Sequence, residues 1–291
     1  MTNPKPLAFK NYLSLVKFSH TIFALPFALI GYFLAIYQTD FNFTPKVFFL
    51  VMLCMVLARN AAMSFNRVTD RFIDKRNPRT ASREIPSGKI HPRNAFIFSI
   101  LNAILFIVTT FFINRLVFSL SPLALLIVMG YSYSKRYTML CHFILGLGLS
   151  LAPIGAYLSV SGQCAVAPLL FSSIVFLWVS GFDILYSIQD EEFDKEESLK
   201  SIPAIFGWKK ARIISVILHA LVVILVIKVG ILIGTGIYYW VATWVFISLL
   251  ILQHLVVKKN SEKRINFAFA WLNGLASLLY ALFTIISFYI Q

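Results

Sequence analysis

Apolar runs of about twenty residues recur along the whole 291-residue chain, and a run of that length crosses the hydrocarbon core of a bilayer as a helix. In lipid, a segment must satisfy its own backbone hydrogen bonds, so a run of this kind has little choice but to be helical. Nine runs qualify: 18–37, 47–66, 95–113, 117–133, 142–160, 165–188, 212–233, 236–257 and 267–288. The expected fold is all-α: a polytopic membrane protein with nine transmembrane helices, in a single domain over residues 1–291. Charged residues make up only 13% of the chain, against roughly 25% in soluble domains, and the mean hydropathy is +0.80. Pro26, Pro122, Pro153 and Pro168 lie in or at the ends of runs, where neighbouring helices can satisfy the carbonyls that a proline frees. The start, MTNPKPLAFKNYLSLVKFSH, is polar and has no small-residue cleavage site, so the first run is expected to be a retained span.

The net charge of +14 could suggest nucleic acid as a partner, but a chain with so little aqueous surface offers no face for it, and topology explains the charge better. Of 26 Lys and Arg, 22 fall in the N-terminus and in the loops 67–93, 134–141, 189–212 and 258–266. The opposite loops hold Lys46, Arg115 and Lys228, and Arg59 lies inside the second run. The positive-inside rule then places the N-terminus and the basic loops in the cytoplasm and the C-terminus outside, a parity that nine spans satisfy.

The acids are more concentrated still. Ten of twelve lie between Asp70 and Glu84 or between Asp183 and Glu197. One cluster follows the second run and the other follows the sixth, both on the expected cytoplasmic side. The offset of four runs suggests two similar four-helix halves and a ninth helix. Residues four apart share a helix face, so Asn66, Asp70 and Asp74 form one polar stripe. Asp183, Asp190 and Asp194, with Tyr186, form a second. Two facing carboxylate rows repel unless cations lie between them. Hard oxygen ligands select hard cations, and Mg²⁺ commonly takes one or two carboxylates and leaves positions for phosphate oxygens. The neighbouring cations fit the same ligand: Arg79 and Arg83 follow Asp74, Lys200 follows Asp194, and Lys135 with Arg136 closes the fourth run. Arg forks match phosphate oxygens in pairs, and Lys supplies a point charge.

Charged loops between membrane helices usually set topology and touch headgroups, and a lone Asp-x3-Asp would read that way. Two such pairs, each followed by cations on one side of the membrane, are a much more specific signal. Glu191, Glu192, Glu196 and Glu197 read as a solvated helix face. Cys54, Cys141 and Cys164 are far apart and read as small core residues rather than as a disulfide or metal site. The five histidines lack metal-ligand spacing, and His219 and His254 are expected at helix interfaces.

At these residues the chain resembles the UbiA family of intramembrane prenyltransferases. Asn66, Asp70 and Asp74 match the family's Asn-x3-Asp-x3-Asp motif, and RTASREIPSG (79–88) matches its following Arg-Thr run. Tyr131 and Lys135, in YSYSKRYT, match its Tyr-x3-Lys motif. Asp183, Tyr186, Asp190 and Asp194 match the second aspartate motif, trailed by Lys200 and Ser201. The resemblance covers essentially the whole chain. It implies helices around a central cavity with a cytoplasmic cap, a polyprenyl diphosphate donor, an aromatic acid acceptor and Mg²⁺. The branch it resembles most is that of 4-hydroxybenzoate polyprenyltransferases of quinone biosynthesis, which shades into enzymes that prenylate dihydroxynaphthoates for menaquinone. His20, Thr21 and His142 depart from ubiquinone-pathway members, which leaves the acceptor open between those two rings. The implied place is the cytoplasmic (inner) membrane of a bacterium, with the active site facing the cytoplasm and no obligate protein partner.

The resemblance implies roles as well. Asp70, Asp74, Asp190 and Asp194 would hold Mg²⁺. Arg79, Arg83, Lys135 and Lys200 would supply positive charge to the diphosphate, with Asn66, Tyr131 and Tyr186 in the substrate site. Asp183 or the departing diphosphate would take the ring proton. Arg59, charged and inside a span, is a functional suspect by default and is the candidate partner of the acceptor's carboxylate, with Lys17 and His20 next in line. Two other classes fit these residues less well. A cation-coupled transporter does not account for the Arg and Lys beside the acids. A CDP-alcohol phosphotransferase would want Asp-Gly-x2-Ala-Arg where this chain has NRVTDRFID.

Overall fold

The computed structural model describes residues 8–16, 23–259 and 261–290. Lys17, His20 and Thr21 lie outside the described residues. Every element among those described is helical: α1 (Ala8–Leu15), α2 (Leu25–Gln38), α3 (Pro45–Thr69), α4 (Arg71–Arg76), α5 (Pro92–Phe111), α6 (Arg115–Tyr137), α7 (Cys141–Ser161), α8 (Val166–Ser187), α9 (Glu191–Glu196), α10 (Ile202–Ile233), α11 (Ile237–Val256), α12 (Glu262–Phe267) and α13 (Asn273–Tyr289). A 3-10 turn, Ile188–Asp190, links α8 to α9, and a π-turn, Ala268–Leu272, joins α12 to α13.

Eight of these helical stretches, among the described residues, are long and apolar enough to cross a membrane, and α2 is a shorter ninth apolar helix. The expected count of nine is therefore approximate. The chain is an integral membrane protein, and seven of the nine expected runs coincide with long helices to within a few residues. The largest difference is at 212–233, where the helix begins at Ile202 and breaks at Gly207 (φ 74°, ψ 162°). That backbone region is nearly closed to residues with a Cβ, so Gly207 lets the first turn of α10 turn away from the span.

Local chemistry sets the ends. Pro45 and Pro92 occupy the first turns of α3 and α5, where the missing N–H is an orphan anyway. Asn114 caps α6, its Oδ1 accepting from Val117 N at 2.9 Å, while its Nδ2 donates to Leu158 O at 2.9 Å and ties α6 to the far end of α7. The helices close a ring. α2 meets α3, α3 packs on α5 and α6, and α6 packs on α7. The chain then continues through α8, α10 and α11 to α13, which returns to α2. α2 also crosses against α7, and Gly31 permits that approach. A Cβ there would stand 2.0 Å from Pro153 O, in keeping with the use of small residues where membrane helices cross closely. The main core lies on the α8, α10, α11 and α13 side, around Trp178, Phe171, Phe246 and Tyr280.

Candidate active site

The ring encloses a cavity of about 1150 Å³. Its walls are apolar for most of their length, from Val51, Ile113 and Val117 at one end, and become polar at the other, where Asp70, Asp74, Asp183 and Asp190 stand. Val51 and Asp70 are both on the α3 side, nineteen residues apart, so the cavity runs about 28 Å at 1.5 Å per residue. That is close to the thickness of a hydrocarbon core.

Both aspartate motifs are built the same way. A long helix, α3 or α8, ends; the backbone breaks; and a six-residue helix, α4 or α9, follows. The break falls on an aspartate each time: Asp70 has φ −90°, ψ 7°, and Asp190 has φ −101°, ψ 4°. This sparsely allowed region is common at active sites. The two stripes are therefore not regular helix throughout, as the spacing suggests. The first nevertheless survives the break, because Asp70 N donates to Asn66 O (2.8 Å) and Asp74 N to Asp70 O (2.7 Å). Asn66 Nδ2 also donates to Asp70 Oδ2 at 2.9 Å.

The two acid segments face each other, as their placement predicts. Side chains of the chain itself provide the intervening cations. Arg79 forks onto Asp190, with Nε at 2.9 Å from Oδ1 and Nη2 at 2.6 Å from Oδ2, and its Nη1 donates to Tyr186 OH at 3.1 Å. Asn77 Nδ2 adds a third bond to Asp190 Oδ1 (3.1 Å). Arg83 pairs with Asp74 at 2.7 Å, Lys135 with Asp194 at 2.7 Å, and Arg136 with Asp70 at 3.0 Å. Ser201 Oγ donates to Asp194 Oδ2 at 2.7 Å. Burial pushes Asp70 above the usual carboxylate range; the Arg136 hydrogen bond pulls it back, and the charge of Asp74 raises it further. Burial alone would lower Arg79, but the charge and hydrogen bonds of Asp190 raise it, so it is a fixed cation.

Most of the residues expected in the site line the cavity, including Arg59, Asn66, Tyr131, Lys135, Asp183 and Tyr186. Arg59 Nη2 donates to Val16 O at 3.3 Å, so the guanidinium reaches back toward α1. Asp194 is fully buried just behind the wall, held by Lys135. Lys200 stands apart: its side chain is exposed, and only its backbone joins the site, Lys200 N donating to Lys135 O at 2.8 Å. Glu191 also differs from expectation. It is 6% exposed rather than solvated, and it pairs with Lys195 at 2.6 Å. Cys164 is exposed rather than a core residue, whereas Cys54 and Cys141 are buried. His219 and His254 do meet at a helix interface, Nδ1 to Nε2, at 2.8 Å.

Several participants were missed in the sequence. Asn77 and Arg67 lie outside the expected set, while Ser201, His142 and Arg136 carry motif or charge signals in the sequence but no partner. Arg67 is 5% exposed and lines the cavity. Its place at the border of the second run reads as a topology charge in the sequence, and only the packing of the helices shows that it is buried.

No group of three or more His, Cys, Asp or Glu converges into a ready-made metal cage among the described residues. The site still fits a hard cation that shares its ligands with a phosphate. Its donors are carboxylate oxygens, and Asp74 Oδ2 is buried without a hydrogen-bond partner.

The family model described as the UbiA prenyltransferase family matches residues 24–282. A 4-hydroxybenzoate octaprenyltransferase of Vesicomyosocius okutanii is 30% identical over 217 residues, 75% of this chain and 79% of the relative. One from Aliivibrio fischeri (strain ATCC 700601 / ES114) is 31% identical over 195 residues, 67% of this chain and 68% of the relative. Among solved structures, the apo UbiA homolog from Aeropyrum pernix K1 superposes with a TM-score of 0.82 at 32% identity, covering 92% of this chain and 97% of its own. A UbiA homolog from Archaeoglobus fulgidus, bound to DMAPP and Mg²⁺, shares the fold at 20% identity and a TM-score of 0.75, covering 97% of this chain and 100% of its own. A helical ring, a membrane-deep apolar cavity and two aspartate segments at its polar mouth thus coincide with a match over most of the sequence, and the chain belongs to the UbiA prenyltransferase family.

Proposed function

We propose that this prenyltransferase moves a polyprenyl chain from its diphosphate to an aromatic hydroxy acid of the 4-hydroxybenzoate type, in quinone biosynthesis. The observation that carries the reading is the polarity of the cavity. One mouth holds carboxylates and Arg/Lys forks suited to a metal-bound diphosphate, and the remaining length is apolar and matches a long hydrocarbon tail. The relatives' names support the acceptor. The cavity draws on residues from Ser14 to Ala270, which supports treating residues 1–291 as one catalytic unit.

Asp70, Asp74, Asp190 and Asp194 would hold Mg²⁺, with the buried Asp74 Oδ2 keeping an unused acceptor for it. When bound, the metal neutralises charge on the leaving diphosphate. Arg79, Arg83, Lys135 and Arg136, each already on a carboxylate, would share their donors with diphosphate oxygens and stabilise the charge that develops there. The apolar walls keep water from trapping the allylic cation as an alcohol. The acceptor ring attacks from the carbon beside its hydroxyl, whose lone pair stabilises the ring cation. Asp183, at the cavity wall, takes the ring proton. Arg59 would bind the acceptor's carboxylate. The basic loops support a cytoplasmic mouth in a bacterial inner membrane.

The test is direct. Membranes containing the chain are given Mg²⁺, a long prenyl diphosphate and 4-hydroxybenzoate, and in parallel 1,4-dihydroxynaphthoate, with mass spectrometry of the product. Prenyl-4-hydroxybenzoate is expected. A product on the naphthoate alone would replace the acceptor, and no product on either, with donor and metal present, would overturn the reading.

A further inference from the structure

His142 and Asp183 form a pair whose histidine has no role in the chemistry above. His142 sits in the first turn of α7 and is 2% exposed. Its Nδ1 is 2.7 Å from Asp183 Oδ2. Its Nε2 is 3.3 Å from the backbone N of Ile202, the first residue of α10. An amide N–H can only donate, so Nε2 must offer its lone pair. The ring proton then sits on Nδ1 and is donated to the carboxylate.

The Ile202 amide has a reason to be there. The first turn of a helix leaves backbone donors without partners. In α10, Pro203 has none to satisfy, Ala204 N goes to Ser201 Oγ (3.3 Å) and Ile205 N to Ser201 O (3.0 Å). The remaining donor, Ile202 N, is capped by the imidazole. The start of α10 therefore fixes the tautomer and the plane of the ring, and the ring fixes the carboxylate. Asp183 keeps 22% of its side chain exposed, in the cavity wall. One of its oxygens is committed to His142, while the carboxylate still faces the cavity in which the acceptor would sit. The same turn reaches the diphosphate end, because Ser201 Oγ donates to Asp194.

We propose that His142 is a positioning residue that holds and aims the Asp183 carboxylate at the aromatic acceptor; the assignment rests on the prenyl-transfer reading above. In the step it serves, the prenyl C–O bond breaks and its electron pair leaves with the diphosphate. A ring π pair forms the new C–C bond. The ring C–H pair then returns to the aromatic system as the proton passes to Asp183, and the released diphosphate or solvent later collects that proton.

The experiment uses the full chain in detergent with Mg²⁺, a long prenyl diphosphate and 4-hydroxybenzoate. Losing a bond to a charged group slows His142→Leu about ten- to a hundredfold in kcat, with the donor KM held within about threefold. His142→Asn places an amide Nδ2 where the ring Nδ1 was, and it recovers most of kcat. His142→Leu combined with Asp183→Asn is no slower than Asp183→Asn alone, since the histidine acts only through the aspartate. A ¹⁵N-histidine NMR spectrum of the wild type, which needs no substrate, shows His142 as the neutral ring with its proton on Nδ1. A His142→Leu enzyme at wild-type kcat, a folded His142→Asn enzyme as slow as His142→Leu, or a wild-type ring protonated at Nε2 would each overturn the proposal. A wild type inactive on 4-hydroxybenzoate would instead remove the acceptor reading and leave the ring's proton position as the test of the pair.

Discussion

Arg79→Lys tests how the two aspartate segments are joined. Arg79 makes two charge-assisted bonds to Asp190 in a fork and a third bond to Tyr186 OH. A lysine keeps the charge, but its ammonium cannot reproduce the fork, so one charge-assisted bond to Asp190 and the bond to Tyr186 are lost. The first loss costs roughly 1.5–3 kcal/mol and the second about 1 kcal/mol. Arg79 is 21% exposed and Asp190 only 9%, so water replaces little of this. Asn77 still holds Asp190 Oδ1, so the fold is expected to remain intact and the loss to fall on the diphosphate site. At 1.36 kcal/mol per factor of ten, the combined loss of about 2.5–4 kcal/mol is an expected fall in kcat/KM for the prenyl diphosphate on the order of seventy- to nine hundredfold. The acceptor KM should move by less than about threefold, because uniform binding of the ring is untouched. The assay is steady-state kinetics on purified protein, varying each substrate at saturating levels of the other. A lysine variant with wild-type donor kcat/KM would refute the fork argument. A variant whose acceptor KM rises while the donor's holds would move Arg79 to the ring site.

Asp190→Asn keeps the shape and removes a charged ligand, so turnover should nearly vanish in a folded protein, and the wild type should lose activity when chelator removes Mg²⁺. A folded Asp190→Asn enzyme with the wild-type Mg²⁺ requirement would exclude Asp190 as a ligand. Asp70→Asn should abolish turnover yet raise thermal stability near neutral pH, because the charged form of Asp70 is disfavoured in the fold. The sign follows from linkage: a carboxyl raised on folding burdens the native state above its folded pKa and is relieved as pH falls through it. The melting-temperature gap between variant and wild type should therefore close toward acid pH, and a gap that widened would contradict it. Arg59→Leu should raise the acceptor KM about ten- to a hundredfold if it holds the ring's carboxylate, with Arg59→Lys only partly better. A rise in donor KM instead would place Arg59 at the diphosphate.

The helices, their number to within one, the two acid-rich segments and most of the charged residues at the polar mouth of the cavity were legible in the sequence. Span signals are local: twenty apolar residues must be helical in lipid wherever they fall in the chain, and a motif such as Asn66-x3-Asp70-x3-Asp74 carries its own spacing. The pairings were not legible. Arg79 meets Asp190 across 111 residues, and Arg136 meets Asp70 across 66. Nothing in the local sequence assigns Arg136 to Asp70 and Lys135 to Asp194, because neighbours on one helix point to different partners only once α3, α6 and α9 have packed. The same holds for burial. Lys200 reads in the sequence as a site cation and Glu191 as part of a solvated face, yet packing leaves the first exposed and closes over the second. The break at each aspartate and the ring of His142 seated on the start of α10 also depend on packing. The sequence by itself determined an all-helical membrane chain with its acids gathered in two segments at the ends of apolar runs. Tertiary structure decided which cation neutralises which carboxylate, because Coulomb and hydrogen-bond energies in a buried site depend on distances of a few ångströms that only the closed ring of helices sets.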